Sequence, residues 1–172
     1  MKNRTKILAE NAALLLCALA LSYLESLLPL SLIVPIPGFK LGLANLAVAV
    51  ALWRLGACSA ISVSFLRILI SSLLFGTAST FMFSLSGGAL SLLALAGCYF
   101  LFGDKMSMVA VSILSAVFHN IGQILCAAAV TGTKAVFSYS PILIICGVIC
   151  GTVTGAVLTL FPKQIYRQRS FK

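Results

Sequence analysis

The stretch LGLANLAVAVALWRLGACSAISVSFLRILISSLLF, residues 41–75, decides the fold. A helix needs about 20 residues to cross the hydrocarbon core of a bilayer. This stretch is therefore either one long span carrying Arg54 in its middle, or two short spans joined near Arg54–Ala57. The basic residues separate the two readings. Two spans here give six in all, near Ile7–Leu28, Leu41–Cys58, Ser59–Phe75, Thr80–Phe102, Met106–Val130 and Val136–Phe161. Lys2, Arg4, Lys6, Arg54, Lys105, Lys163, Arg167, Arg169 and Lys172 then share one side, and only Lys40 and Lys134 fall on the other. Such a bias identifies the cytoplasmic side. A single merged span would put the two basic termini on opposite faces. The expectation is a single transmembrane domain over residues 1–172, an all-α bundle of six helices with both termini cytoplasmic. The 13 residues between Lys40 and Arg54, and the 12 between Arg54 and Arg67, make the second and third spans short, so their end charges must snorkel.

Composition agrees. Of the 172 residues, 61% are hydrophobic and 9% charged. Soluble domains carry about a quarter charged residues, so most of this surface must face lipid. The net charge of +9 sits at the ends of apolar runs rather than in a basic stripe with interleaved aromatics, which argues against nucleic-acid binding. Lys2–Lys6 followed by an apolar run has the layout of a signal peptide, but no small-residue cleavage site precedes a soluble domain, and the expectation is a retained first helix. No inverted repeat of the transporter type is visible. The six cysteines form no CxxC pair and lie within or beside apolar runs, where they read as small packing residues. No metal site is expected, although Cys146 and Cys150 lie one helical turn apart.

Ionisable and amide side chains inside a membrane mark function by default. Arg67 falls near the middle of the third span, with Ser64 and Ser71 on the same face, and His119 near the middle of the fifth. Ser112, Ser115, His119 and Gln123 follow steps of three and four, which makes one polar stripe on a helix, with Asn120 beside it. Asn45, Ser84 and Ser86 lie nearer the outer ends of their helices. Lys40, Asn45, Arg67, Ser84, Ser86, His119, Asn120 and Gln123 are the candidate substrate-binding residues, converging on a polar cavity in the outer half. Two readings of Arg67 stand side by side: an internal pair with Glu25, or a cation free for an anionic ligand with Lys40 at the entrance. Asn120 and Gln123 are equally consistent with hydrogen bonding between helices.

Small residues predict close helix contacts. Gly147, Gly151 and Gly155 form a GxxxGxxxG ladder in the last span, Ala9 and Ala13 an AxxxA pair in the first, and Gly87-Gly88 marks a point where something approaches the fourth helix closely.

Three stretches carry a family resemblance: Val34-Pro35-Ile36-Pro37-Gly38-Phe39-Lys40-Leu41-Gly42-Leu43-Ala44-Asn45, Phe83-Ser84-Leu85-Ser86-Gly87-Gly88 and Phe118-His119-Asn120-Ile121-Gly122-Gln123. They resemble a membrane family labelled Gx transporter or heptaprenyl diphosphate synthase component I, which in turn resembles the substrate-binding S components of energy-coupling-factor (ECF) transporters. That resemblance implies a multi-pass protein of the bacterial cytoplasmic membrane that captures a small anionic micronutrient, or an isoprenoid- or quinone-related precursor, at its outer face. It also implies a membrane coupling protein and two cytoplasmic ATPases as partners, with Ala9 and Ala13 meeting the coupling protein. ATP would be used only by those ATPases, since this chain has no Walker motif, and no cofactor is expected to bind the chain itself. The synthase label implies magnesium held by aspartate clusters, yet Asp104 is the chain's one aspartate. A Ser/His mechanism lacks an orienting acid near His119. The chain therefore reads as a non-enzyme. The alternatives are an ion-coupled secondary carrier and a non-catalytic membrane accessory protein of heptaprenyl diphosphate or quinone metabolism.

Overall fold

A computed structural model describes residues 2–28 and 40–160. Six α-helices make up the chain there: α1 Lys2–Ser26, α2 Asn45–Leu55, α3 Ala57–Phe75, α4 Ala78–Phe102, α5 Met108–Thr131 and α6 Ser140–Leu160, with 3₁₀ turns at Gly103–Lys105 and Lys134–Tyr139. In lipid each backbone N–H and C=O must find its partner within the protein, and a helix achieves this within one segment. Five helical stretches are long and apolar enough to cross a membrane, which makes this a multi-pass membrane protein. Leu8, Leu16, Leu73, Leu93, Leu101 and Leu160 point outward, as apolar side chains do when the surrounding solvent is lipid.

The second helix departs from expectation. It starts at Asn45 rather than Leu41, and its 11 residues extend only about 16 Å. Residues 40–44 are non-helical, and the break before α3 shrinks to Gly56, whose φ of 98° suits a residue without a Cβ. Asn45 meets Arg67 across that break. The two lie equally far in sequence from Gly56, so α2 and α3 form an antiparallel hairpin. Ala47 to Trp53 are all buried, so α2 is the central helix of the bundle. It is packed against α1 through the Arg54–Glu10 pair and against α4 through the edge-to-face contact of Trp53 with Tyr99, centroids 5.3 Å apart.

Glycines set the closest helix contacts. A Cβ on Gly147, Gly151 or Gly155 would run into the α5 backbone at Val117, Ile113 and Val109 respectively. The ladder is thus an internal seam between α5 and α6. Gly122 sits against the α4 backbone, where an added Cβ would lie 2.6 Å from the Ser86 carbonyl oxygen and 2.8 Å from Gly87 Cα. The neighbour expected at Gly87 is therefore α5.

Residues 29–39, including the first part of the Val34–Asn45 motif, lie outside the described residues, as do the basic residues after Leu160.

Candidate functional site

Because α2 stops short, the space above its first turn is filled by the non-helical segment 40–44 and by side chains of α1, α3 and α5. Non-helical backbone at membrane depth is tolerated where protein buries it or where it lines a polar cavity. Here polar groups from four elements meet. Glu25, near the end of α1, turns its Oε1 toward the segment and accepts a hydrogen bond from the Leu43 N–H at 2.7 Å. Arg67 of α3 donates through Nη2 to Asn45 Oδ1 at 3.2 Å. Gln123 of α5 accepts a long bond from the Lys40 N–H at 3.4 Å, and its Nε2 lies 2.9 Å from His119 Nε2. With the Gln123 oxygen engaged by the backbone, its NH₂ is the donor to the imidazole, so His119 Nε2 accepts and the proton sits on Nδ1. That nitrogen faces Gly87, where a Cβ would come within 2.9 Å of it.

Gly42 is the wedge of this arrangement. Its φ of +87° is in the region that favours glycine, and a Cβ there would press on Asn45 Nδ2 at 3.0 Å and the His119 ring at 3.1 Å. The segment therefore lies directly on the imidazole.

The charges are unevenly matched. Arg67, Glu25 and Lys40 are all buried, at 2%, 1% and 5% exposure. The Glu25 carboxylate lies within electrostatic range of both cations. Its hydrogen bond nevertheless goes to backbone, and no Glu25–Arg67 ion pair within 4.0 Å is present among the described residues. Formally one carboxylate faces two cations. Arg67 Nε and Asn45 Nδ2 have no hydrogen-bond partner among the described residues. Burial pushes the Lys40 ammonium below its usual range; Glu25 opposes this and Arg67 adds to it. Lys40 Nζ also lies 5.9 Å from the centre of the Phe75 ring, a cation–π contact.

Below the cluster, α2, α5 and α6 enclose a cavity of about 10 Å³ bounded by Gly42, Asn45, Ala49, Ser112, Ser115 and Thr154, room for about one water molecule. Ser112 Oγ has no partner among the described residues, whereas Ser115 bonds to Ser91 at 2.7 Å.

Of the residues singled out in the sequence, the fold brings together Lys40, Asn45, Arg67, His119 and Gln123. Ser84 is buried on α4 with its hydroxyl unpartnered among the described residues. Two others bond across to neighbouring helices. Ser86 donates to the Gly122 carbonyl at 2.6 Å, and Asn120 donates to the Leu143 carbonyl at 2.7 Å, so Asn120 faces α6. Ala9 and Ala13 lie on an exposed face of α1. Gly42 stands inside the first motif but was not singled out there, because its positive φ is visible only in three dimensions. Among the described residues no group of three metal-ligating side chains occurs.

A family model described as "Heptaprenyl diphosphate synthase component I" matches residues 14–161. No curated protein and no solved structure matches the chain.

Proposed function

The chain belongs to the heptaprenyl diphosphate synthase component I family, and on that premise we propose that it is the substrate-binding membrane subunit of an ECF-type importer for a small anion. One observation carries this reading: Arg67 is buried with an unpartnered Nε, and Lys40 lies beside the same carboxylate. Holding an arginine at the centre of a membrane helix costs about 3 kcal/mol on insertion scales, and an uncompensated buried charge costs several kcal/mol more. An anionic ligand would offset that cost at the moment of binding. Asn45 and His119, on either side of Gly42, would orient the ligand, with Gln123 fixing the imidazole tautomer.

In this reading the chain is not an enzyme and holds no cofactor. It lies in the bacterial cytoplasmic membrane with both termini inside, and the ligand enters from the outer face. A coupling protein docks on the small-residue face of α1 at Ala9 and Ala13. Two ATPases drive reorientation of the bundle and release of the ligand inside. A second reading, a non-catalytic membrane component of a larger synthase assembly, rests on the family's name.

Two measurements test the proposal. Native mass spectrometry of the gently purified protein should show a retained small anion that is absent from Arg67→Ala protein inserted to the same level. A retained molecule equally abundant in both would sink the anion site. Purification from native membranes should bring down a membrane coupling protein with two ATPases. Uptake by the chain alone in proteoliposomes under an ion gradient would make it a secondary carrier, and recovery of a prenyl synthase subunit would favour the second reading.

A further inference from the structure

The Asn45 amide is only half engaged. A guanidinium can only donate, so the amide oxygen is the end that faces Arg67, 3.2 Å from Nη2. The NH₂ end is turned toward Gly42, where a Cβ would lie 3.0 Å from Nδ2. That nitrogen is buried and has no partner among the described residues. Gly42 and Asn45 both border the cavity of about 10 Å³ between α2, α5 and α6. Ser112 of α5 forms another of its walls. It is 6% exposed, and its hydroxyl also has no partner among the described residues. Two buried polar groups from different helices therefore border one small space.

The lining selects what fits there. The volume admits about one water molecule. Hard cations take six or more oxygen ligands, whereas this lining supplies three hydroxyls, on Ser112, Ser115 and Thr154. A cation would also meet the amide hydrogens of Asn45, with Arg67 behind them. Thr154 already donates to the Cys150 and Gly151 carbonyls of its own helix, so it can only accept. The occupant must then accept from one wall and donate to another, which water does.

We propose that this cavity is a binding site for one structural water, which accepts from Asn45 Nδ2, is held by Ser112 Oγ, and so fixes the amide that positions Arg67. Asn45 and the water become positioning groups for the guanidinium, and Ser112 supports them from α5. The role in binding rests on the anion-receptor reading above. The presence of the water does not, since it follows from the cavity and its two unmatched polar groups.

The test uses the full chain in phosphatidylcholine nanodiscs, with inorganic diphosphate as the small-anion probe. In protein carrying ¹⁵N-labelled asparagine, the Asn45 NH₂ protons should show a nuclear Overhauser effect to a long-lived water, assigned by its disappearance in Asn45→Asp. Ser112→Val fills the cavity. It should abolish that signal and weaken diphosphate binding about three- to tenfold, the scale of one lost hydrogen bond. Ser112→Ala deletes the same hydroxyl but leaves room for the water. The signal should persist there, with a loss of about twofold.

Absence of the water signal at Asn45 in the unsubstituted protein would overturn the proposal, and this readout needs no variant of Ser112 to fold. Parent-like diphosphate binding by Ser112→Val would overturn the positioning role. So would an equal loss in Ser112→Ala and Ser112→Val, since the hydroxyl alone would then matter. Failure of the underlying reading looks different: diphosphate binding would not respond to Arg67→Ala, and the positioning role would fall with it. Failure of the water assignment alone would leave Arg67-dependent binding with no water signal at Asn45.

Discussion

Two arginines on consecutive helices meet carboxylates of the same helix in opposite ways. Arg54, at the end of α2, places Nε 3.0 Å from Glu10 Oε2 and Nη2 3.1 Å from Oε1, a two-pronged pair with side chains 36% and 23% exposed. Arg67, in the middle of α3, is buried. Its hydrogen bond goes to the Asn45 amide, while Glu25 turns toward the Leu43 N–H. The first arginine ties α1 to α2 and is matched within the chain. The second is held in place by a neutral group, and its Nε is unmatched among the described residues. In the proposed reading, a cation positioned by an amide rather than paired with a carboxylate is the one that an anionic ligand would meet.

Three experiments press on this contrast. The largest expected effect is from Arg67→Lys, which keeps the charge but loses the planar fork that reaches Asn45. Affinity for inorganic diphosphate, measured by titration calorimetry, should fall roughly tenfold; unchanged affinity would mean that the guanidinium's geometry is idle.

Next comes pH. Lys40 has its ammonium pushed below the ordinary lysine value of 10.5 by burial, so it loses its charge at a lower pH than a free lysine does. Diphosphate affinity should therefore weaken several-fold as pH rises through the alkaline range below 10.5, and Lys40→Arg should flatten that profile. A parent profile as flat as that of the variant would remove Lys40 from the site.

The smallest effect belongs to Arg54→Ala. Half-exposed pairs contribute little, so thermal unfolding should report a loss of about 0.5–1 kcal/mol, and diphosphate affinity should stay within about twofold because the site is remote. A binding loss as large as that of Arg67→Lys would erase the distinction between the two arginines.

Much of this was legible in the sequence. The spacing of apolar runs and basic residues anticipated the helix count and the break at residues 41–75, and the steps of three and four placed His119 and Gln123 on one face of α5. Arg67 stood out because a charge in an apolar run has few bland explanations. The length of α2 was not legible, because Leu41–Ala44 are as apolar as the helix they precede, and only tertiary contacts to Glu25 and His119 hold them out of it. Residue type alone did not show that Ser86 would bond to the Gly122 carbonyl of α5 and Asn120 to the Leu143 carbonyl of α6. Helix rotation decides which neighbour an amide or hydroxyl meets, and at Asn120 a one-residue offset from the His119 stripe turns the side chain toward α6. Glu25 was read as a possible ion-pair partner, but its carboxylate spends its best acceptor on backbone that periodicity cannot place.

The brevity of α2 bears on how the chain reaches the bilayer during synthesis. A segment of 11 residues falls well below the ~20 that a membrane-insertion machinery accepts as a span. It carries Arg54 at one end, and its inner residues have partners only among other helices. It has no stable lipid-exposed state of its own. The expectation is that it enters as one arm of a hairpin with α3, turned at Gly56, since only within the bundle does its buried face find partners.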